Sequence, residues 1–294
     1  MKDAAMNDIL SVGAGPVGLT LAAVLVRHGV RVRLVDKLAA ASPYCRAIGV
    51  TPRTLEVMDD LGLAGALVDA GIWLDGLRTL VHGHPARDSD NDFADLPYAQ
   101  LGVPQDATER LLAGHLAGRG VGIERGVELA GLTQDEAGVE ARFADGASAR
   151  FAYVVGCDGA HSAVRRVLGI AFEGEAWPME FMLGDVRIDW DLPPEQDLPR
   201  GRALFALRPI PEAPPDLFVA IPLPERGRYR VSMVAPERLG APGQGTGHGI
   251  QIDRPGATLA DLQEVADRLL PDPPRLSELR WSSIFRIPTR LAAR

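Results

Sequence analysis

Short apolar runs and helix-like repeats alternate along the first half of the chain. Residues 8–12 form a mostly apolar run, and the spacing within residues 16–27 places Leu21 and Leu25 on one helix face. Residues 31–35 alternate charged and apolar side chains, which predicts a second strand. A strand, a helix and a strand in this order predict a βαβ unit with parallel strands.

Two more helices are predicted before the pattern changes. Thr51 is suited to cap one of them, with Pro52 at its first helical position. Residues 105–116 predict the other helix. Strand patterns then take over, because residues 138–143 alternate and the pair Asp145-Gly146 is a strong hairpin signal.

The second half of the chain predicts longer strands. The predicted strands cover residues 151–155, 179–190, 202–208, 216–222 and 228–235. A short helix is predicted over residues 161–168, and a later one begins where Thr258 and Asp261 can cap each other. The tract Gly243–Gly249, with glycine at every second position, predicts a loop. Of the 23 prolines, 17 lie in residues 151–294, as expected for a region of turns and short strands.

Composition and charge narrow the class of protein. At 294 residues the chain is long enough for more than one hydrophobic core. A hydrophobic share of 46% and a net charge of −8 favour a globular protein without a nucleic-acid partner. No apolar run approaches the roughly 18 residues of a membrane helix, and the first residues lack the apolar core of a secretory signal. The lack of such a run predicts no membrane partner. Cys45 and Cys157 form no disulfide framework, so we expect a cytoplasmic location.

The sequence Gly13-Ala14-Gly15-Pro16-Val17-Gly18 is a G-x-G-x-x-G motif between the first predicted strand and helix. In this context the glycines permit a tight turn, a close approach to a pyrophosphate and close helix packing. Asp36, followed by Lys37, ends the second strand, where a carboxylate can reach ribose hydroxyls and would repel a 2′-phosphate. The motif predicts a bound NAD or FAD without deciding between them, and a tight turn without a ligand is the alternative.

Four stretches together resemble the class A flavoprotein aromatic monooxygenases, the group of p-hydroxybenzoate hydroxylase and phenol hydroxylase. They are residues 13–18, 42–56, 103–112 and 156–165. The resemblance implies FAD as the cofactor and NAD(P)H as a transient reductant. The FAD-binding residues that it implies, together with the fingerprint, are Gly13, Ala14, Gly15, Pro16, Val17, Gly18, Asp36, Lys37, Arg46, Ala47, Gln105, Leu129, Asp158 and Gly159.

Several of these residues have simpler interpretations when taken singly. Arg46 could be a solvated loop arginine, and Gln105 could be only a polar residue at a helix start. The pair Asp158-Gly159 could be a plain turn, or Asp158 could cap the short helix that follows. Their joint appearance behind the glycine-rich motif favours a flavin site.

The resemblance also implies the architecture, which is α/β. We expect a discontinuous, Rossmann-like FAD-binding domain with a parallel sheet, and an inserted substrate domain that is mostly antiparallel β. The FAD-binding domain would comprise residues 1–75 and 102–171, the substrate domain residues 76–101 and 172–284, and residues 285–294 would begin the return. We expect the substrate pocket between the two domains, lined by alternate residues of strands such as 202–208 and 216–222.

The sequence departs from the family pattern at its end. The family has a third signature, a Gly-Asp pair that follows the substrate domain, and residues 281–294 resemble only the lead-in to it. Gly184-Asp185 does not replace it, because this pair lies within a predicted strand of the substrate domain. We therefore expect the sequence to be the N-terminal portion of a longer protein and to bind FAD weakly or not at all by itself.

The activity implied by the resemblance is that of an FAD-dependent monooxygenase. In this family NAD(P)H reduces FAD, O₂ reacts with the reduced flavin, and a C4a-hydroperoxyflavin hydroxylates a small, phenol-like aromatic substrate. Because the cofactor supplies this chemistry, no catalytic side chain is assigned. No metal is expected either: His82-Gly83-His84 lacks a third ligand, and Asp88, Asp90 and Asp92 lack the glycine and glutamate of a calcium loop.

Two alternatives remain beside an aromatic hydroxylase. One is a non-catalytic remnant of a flavoprotein, which the missing third signature would support. The other is a different flavin oxidoreductase on the same fold, such as a reductase or a halogenase. The family context also leaves open a homodimer as the assembled form.

Overall fold

The computed structural model describes residues 9–41, 47–190, 198–211, 213–239 and 256–293. The helices are α1 (Pro16–Arg27), α2 (Pro52–Asp60), α3 (Ala64–Ala70), α4 (Gln105–Ala117), α5 (Ala163–Val167) and α6 (Leu259–Leu269), with a 3-10 turn at Glu237–Leu239. The strands of the first half are β1 (Ile9–Val12), β2 (Val32–Asp36), β3 (Gly49–Val50), β4 (Ile72–Trp73), β5 (Gly76–Val81), β6 (Arg87–Asp90), β7 (Leu101–Gly102), β8 (Ile123–Arg125), β9 (Leu129–Asp135) and β10 (Gly138–Phe143). The later strands are β11 (Ser148–Phe151), β12 (Tyr153–Gly156), β13 (Phe172–Asp189), β14 (Arg202–Ile210), β15 (Ala213–Pro222), β16 (Arg228–Val234) and β17 (Arg275–Ala292).

A four-stranded parallel sheet, in the order β12-β1-β2-β8, carries the βαβ unit predicted from the sequence. Helix α1 covers one face of this sheet and packs on α4. Leu19 and Leu34 lie in the core that they share, at 0% and 1% exposure. The other face is closed by Phe151 of the antiparallel β9-β10-β11 sheet, which packs against Leu10.

A seven-stranded sheet forms the second unit, in the order β17-β13-β16-β15-β14-β5-β6. Its neighbours are antiparallel except for β14 and β5, which run parallel. Helix α6 lies on one face, where Leu262 and Val265 contact the apolar side chains of the strands. A small sheet of β3, β7 and β4 stands where the chain passes between the two units. The α/β fold with a parallel sheet and a large, mostly antiparallel sheet is confirmed.

Local signals located the helix starts correctly. Helix α1 has the predicted bounds, and Thr51 caps α2 by accepting a hydrogen bond from the N–H of Thr54. At α6 the predicted capping pair is present: Asp261 donates its N–H to the Thr258 hydroxyl, and the Asp261 carboxylate accepts the N–H of Thr258. These capping contacts satisfy N–H groups that the first helical turn leaves without partners.

The single strand predicted over residues 151–155 is wrong. Phe151 ends β11, whose partner is β10, and Tyr153 begins β12, whose partner is β1. The apolar run therefore serves two sheets, with the change at Ala152. Residues 285–292 continue β17 alongside β13. The glycine tract at residues 243–249 lies outside the described residues.

Candidate functional site

Two of the three glycines of the G-x-G-x-x-G motif leave no room for a side chain. Gly13 has a φ of +102°, and a Cβ on it would lie 2.4 Å from the carbonyl oxygen of Cys157. A Cβ on Gly18 would lie 1.9 Å from the carbonyl oxygen of Gly13. These two residues therefore allow the tight turn and the close packing of α1 that the motif predicts.

Gly15 faces open space instead. No heavy atom lies within 4 Å of a Cβ built on Gly15. This residue is the N-cap of α1, with Pro16 at the first helical position. Because glycine offers no capping side chain, N–H groups of the first turn remain available to a ligand, and the helix dipole adds partial positive charge. This end of α1 is suited to a phosphate group.

Asp36 is fixed at the end of β2 by two backbone contacts. Its Oδ2 accepts the N–H of Ala14 at 2.7 Å, and its Oδ1 accepts the N–H of Leu38 at 2.8 Å. The guanidinium of Arg125 lies 3.5 Å from Oδ2. The carboxylate is thereby held beside the glycine turn, with free lone pairs for further donors such as ribose hydroxyls.

Asp158 follows β12 at the same edge of the parallel sheet. Its Oδ2 accepts the N–H groups of Ala163 and Val164, at 2.6 and 3.2 Å, which caps the start of α5. Its Oδ1 is buried and has no hydrogen-bond partner among the described residues. Gly159 has a φ of +72°, which turns the chain toward α5. The capping interpretation of Asp158 therefore holds, and one carboxylate oxygen remains as an unused acceptor.

One cavity of about 320 Å³ collects most of the predicted cofactor residues. The predicted residues that line it are Gly13, Gly15, Pro16, Val17, Asp36, Lys37, Leu129, Asp158 and Gly159. Ala14 and Gly18 belong to the turn that forms its wall, and Ala14 is buried at 2% exposure. Four separate chain segments thus meet at the carboxyl edge of the parallel sheet, where open α/β sheets bind ligands. We call this space the nucleotide cavity.

The remaining predicted residues lie elsewhere or outside the described part. Gln105 begins α4, and its side-chain amide donates to Glu109 at 2.8 Å; it does not line the nucleotide cavity. Burial raises the pKa of Glu109, and the Gln105 hydrogen bond opposes this shift. Ala47 is exposed just before β3, and Arg46 lies outside the described residues.

The nucleotide cavity also contains residues that the sequence did not single out. Arg166, in α5, brings a cation to the cavity, and Glu128 lies next to Leu129. Cys157 lines it too, and burial raises the pKa of its thiol, so this group is protonated at neutral pH. The sequence offered one signal for Arg166 as a cavity residue, which is that it follows the Asp158-Gly159 pair.

A second space, which we call the cleft, lies between α4 and the seven-stranded sheet and measures about 390 Å³. Ala107 of α4 and Pro104, the residue before this helix, line the cleft on one side. From the sheet it is lined by β13, β16 and β17, whereas the expected lining lay on residues 202–208 and 216–222. The cleft therefore lies beside α4 and the seven-stranded sheet, and strands other than the expected ones line it.

Buried charges form the sheet wall of the cleft. Arg230 Nε and Nη2 donate to the two carboxylate oxygens of Asp185 at 2.7 and 2.8 Å. The indole Nε1 of Trp281 donates to Asp185 Oδ2 at 2.7 Å, and the Arg230 guanidinium lies 5.0 Å from the Trp281 ring. Arg228, at 2% exposure, bonds to Glu278. This wall is a hydrogen-bonded platform in which each of these charged groups has a partner, while the buried Nε of Arg228 has none among the described residues.

The other polar motifs are engaged structurally. Asp88 accepts two hydrogen bonds from Arg78, and Asp90 pairs with Arg202. Asp92 accepts the N–H of Ala94. Over the described ranges, no group of three or more His, Cys, Asp or Glu side chains could hold a metal ion. Within those same ranges, every helix is too short or too polar to cross a membrane.

The residues of the nucleotide cavity fit the adenosine diphosphate half of FAD. The open backbone at Gly15 and the uncapped end of α1 suit the pyrophosphate. Asp36 suits the ribose hydroxyls, and the unpartnered Oδ1 of Asp158 is a further acceptor at the same cavity. Among the described residues, the backbone and carboxylate chemistry therefore agrees with a dinucleotide.

A parallel βαβ sheet, with a glycine turn and a carboxylate at the end of its second strand, defines a dinucleotide-binding protein. The sequence model of the family described as FAD binding domain matches residues 6–292. The chain therefore belongs to this family of FAD-dependent aromatic monooxygenases.

Curated relatives and a solved structure agree with this assignment. The chain is 34% identical over 293 residues to 6-methylpretetramide 4-monooxygenase of Streptomyces rimosus, which covers 97% of this chain and 48% of that protein. It is 42% identical over 190 residues to a rifampicin monooxygenase of Streptomyces venezuelae, covering 62% of this chain and 38% of that protein. The structure of p-nitrophenol 4-monooxygenase from Pseudomonas putida matches with a TM-score of 0.75 and 26% identity, over 98% of this chain and 69% of that one. The chain thus spans about half or less of these two curated relatives.

Proposed function

We propose that this chain supplies the FAD-binding and substrate-binding portions of an aromatic hydroxylase that uses NAD(P)H and O₂. The observation that carries the proposal is the nucleotide cavity. Four segments far apart in sequence bring the glycine turn, Asp36, Leu129 and the Asp158-Gly159 pair to its walls. A chance arrangement of this kind is disfavoured, since residues 13–18 and 156–165 match two separate motifs of the family and Asp36 stands where the first of these motifs expects a carboxylate.

The division into two domains is part of the proposal. Residues 1–75 and 102–171 form the FAD-binding unit, and residues 76–101 and 172–284 form the substrate unit. In support, β5 and β6 join the seven-stranded sheet, while β7 and α4 return to the first unit. Residues 285–292 pair with β13, which associates them with the substrate unit.

The fourteen candidate residues have four roles in this proposal. The glycine turn and the first turn of α1 hold the pyrophosphate, through backbone N–H groups and the helix dipole. Asp36 accepts hydrogen bonds from the adenosine ribose, with Lys37 and Leu129 beside the adenosine. Asp158 and Gly159 form the far wall of the nucleotide cavity, and Arg46, Ala47 and Gln105 are assigned to the flavin end.

FAD held by these residues would supply the redox chemistry, namely hydride acceptance from NAD(P)H and O₂ activation, with one oxygen atom going to the substrate ring and the other to water. The chain's own residues position the reactants and exclude water. The cleft beside α4 is the space for the substrate, because it adjoins Pro104 and the start of the helix that carries Gln105. Its platform of Asp185, Arg230 and Trp281 gives the substrate a fixed wall.

A phenol-like aromatic ring is the substrate class that we propose. The name of the Pseudomonas putida relative specifies p-nitrophenol, and that of the Streptomyces rimosus relative specifies 6-methylpretetramide. The indole of Trp281 in the cleft offers an aromatic surface to such a ring. We assign the reaction to the cytoplasm, since neither cysteine spacing nor number favours an oxidising compartment.

The test uses the 294-residue chain with ADP, FAD, NADH, NADPH and a panel of phenols. Titration calorimetry with ADP measures occupation of the nucleotide cavity independently of the flavin end. Quenching of flavin fluorescence measures FAD binding. Oxygen uptake and mass spectrometry then follow substrate-stimulated NAD(P)H oxidation and a product that contains one added oxygen atom.

Because the nucleotide cavity collects only the residues assigned to the adenosine diphosphate half, the proposal expects ADP to bind and FAD to compete with it weakly. At saturating FAD, at least one phenol should accelerate NAD(P)H oxidation and gain oxygen. A folded chain that binds neither ADP nor FAD contradicts the nucleotide site itself. Binding of FAD without any phenol-stimulated oxidation contradicts the hydroxylase and supports the non-catalytic flavoprotein. Oxidation of NAD(P)H without transfer of oxygen to a substrate supports a flavin reductase.

A further inference from the structure

The face of the seven-stranded sheet that carries α6 holds a cavity of about 460 Å³. Leu204 of β14 lines it and belongs to the core beneath α6. The register pairs Leu80 of β5 with Ala206, another residue of that core, so Leu80 points to the same face. Leu270, just after α6, and Trp190, just after β13, line other parts of it. We call this space the outer-face cavity.

The outer-face cavity is separate from both spaces described above. None of its lining residues lines the nucleotide cavity or the cleft. The cleft uses Arg230, whereas the next residue, Val231, lies in the core beneath α6. Because successive strand residues point to opposite faces, the cleft and the outer-face cavity lie on opposite sides of the sheet. A ligand in one does not occupy the other.

The walls of the outer-face cavity are apolar. Leu198, Leu204 and Leu270 line it, and all three are at least nine-tenths buried. Pro271 and the indole of Trp190 add further apolar surface. A cavity of a few hundred cubic ångströms with such walls has the size and lining of small-molecule sites. Water gains few hydrogen bonds there, so an apolar ligand would displace it favourably.

Charged side chains at the opening of the cavity, which we call its lip, determine which ligand charge the cavity favours. Arg78 donates two hydrogen bonds to Asp88, at 2.8 and 2.9 Å, so these charges balance each other. Asp272 is exposed at the same lip and makes no ion pair among the described residues. Arg202 lies 3.4 Å from Asp88 and also pairs with Asp90. The two arginines and three aspartates at or beside the lip therefore sum to −1, which disfavours an anion entering an apolar space.

We propose that the outer-face cavity binds a neutral or cationic, largely apolar ring compound. The rings lie against Trp190 and the leucine walls, and any polar substituent points toward Asp272. This site is independent of the flavin chemistry proposed above, and its ligand is not the substrate of the cleft.

The test uses N-phenyl-1-naphthylamine, a neutral ring compound whose fluorescence rises in apolar sites. The variant Ala86→Trp introduces a large side chain at an exposed residue that lines the cavity. The matched control, Ala94→Trp, adds the same side chain at an exposed residue that does not line it. Circular dichroism and thermal melting establish that both variants are folded.

The parent chain should bind the probe at saturation, Ala86→Trp should bind it about tenfold more weakly or worse, and Ala94→Trp should match the parent. Saturating ADP should leave probe binding unchanged. The anionic probe 1-anilinonaphthalene-8-sulfonate should bind less tightly than the neutral one. The variant Asp272→Arg should raise the affinity of the anionic probe by roughly threefold to tenfold, since it reverses the charge of the lip.

Equal loss of probe binding in both tryptophan variants, or no loss in either, overturns the proposal. Displacement of the probe by ADP places it in the nucleotide cavity and also overturns it. Because ADP binding is measured separately, failure of this site is distinguishable from failure of the flavin site. If Ala86→Trp does not fold, Asp272→Arg decides the question, and an unchanged affinity for the anionic probe counts against the site.

Discussion

The carboxylate of Asp36 accepts the backbone N–H of Ala14 at 2.7 Å, which joins the end of β2 to the glycine turn. The other carboxylate oxygen accepts the N–H of Leu38. The acceptor for a ribose and the backbone that approaches a pyrophosphate are therefore fixed to each other. This contact defines the spacing of the nucleotide cavity, and it can be tested by substitutions on either side.

Replacing Asp36 should weaken nucleotide binding and relax its selectivity. For Asp36→Ala we expect ADP to bind about tenfold more weakly or worse, because a hydrogen bond to a charged group contributes about 1.5–3 kcal/mol. The preference for ADP over 2′-phospho-ADP should also shrink, since the repulsion of the 2′-phosphate is lost. Titration calorimetry with the two nucleotides measures both effects.

The control for Asp36→Ala is Glu136→Ala, which removes one negative charge from an exposed loop. This control should keep the parent affinity and the parent selectivity. If both variants change nucleotide selectivity alike, the effect arises from net charge and the ribose role of Asp36 is wrong.

Gly15 and Gly13 of the turn should respond differently to alanine. Gly15→Ala should leave the thermal midpoint unchanged, because its Cβ meets no atom within 4 Å, but should weaken ADP binding at least about tenfold by occupying the pyrophosphate position. Gly13→Ala should unfold more readily, since a positive φ costs about 1–3 kcal/mol and its Cβ would collide with Cys157. Urea unfolding and ADP titration separate the two outcomes.

The control variant Gly62→Ala measures the cost of a positive φ without a collision of the added Cβ. Gly62 has a φ of +73° and open space around its Cβ. Its variant should lose only about 1–2 kcal/mol of unfolding free energy and should retain ADP binding. A stable Gly13→Ala variant would contradict the close packing of the turn against Cys157. A Gly15→Ala variant with parent affinity would contradict the proposed position of the pyrophosphate.

Local sequence signals predicted the parts of the fold that local physics determines. The Gly15-Pro16 start located α1, and the Thr258–Asp261 pair located α6, because capping depends on neighbours a few residues away. The nucleotide cavity was predictable for a related reason, since the glycine turn and Asp36 are placed by one βαβ unit.

Features that depend on distant partners could not be predicted in this way. The apolar run around Ala152 does not reveal that Phe151 pairs with β10 while Tyr153 pairs with β1. Likewise, Asp185 and Trp281 lie 96 residues apart, and no local pattern links them. The strands that line the cleft follow from the order of the seven-stranded sheet, which the alternation of side chains leaves undetermined.

The stability of α4 should depend on pH through Glu109. Burial raises its pKa above the ordinary value of 4.5. The folded state then holds this proton more tightly than the unfolded state, so stability is fully present below the ordinary pKa and is lost as pH rises through the raised pKa. Glu109→Gln, which resembles the protonated form, should gain stability relative to the parent as pH rises from below 4.5 through the raised pKa.

Urea unfolding of the parent and of Glu109→Gln, over that pH range, measures this difference. Glu136→Gln, at an exposed loop position, should show no such trend. A difference between parent and Glu109→Gln that does not change with pH would show that Glu109 titrates normally and that the effect is one of packing.

Breaking the platform of the cleft should destabilise the substrate unit. Asp185→Leu leaves the buried guanidinium of Arg230 without its carboxylate and removes the acceptor of Trp281. An unpaired buried charge of this kind costs about 3–5 kcal/mol of unfolding free energy. The double variant Asp185→Leu/Arg230→Met should recover most of that loss, because it removes both charges and retains apolar volume.

Chemical unfolding of the parent, both single variants and the double variant measures the coupling between the two residues. The coupling should be large and favourable. Additive losses would mean that Asp185 and Arg230 stabilise the sheet independently, and the rigid wall proposed for the substrate would then lack its basis.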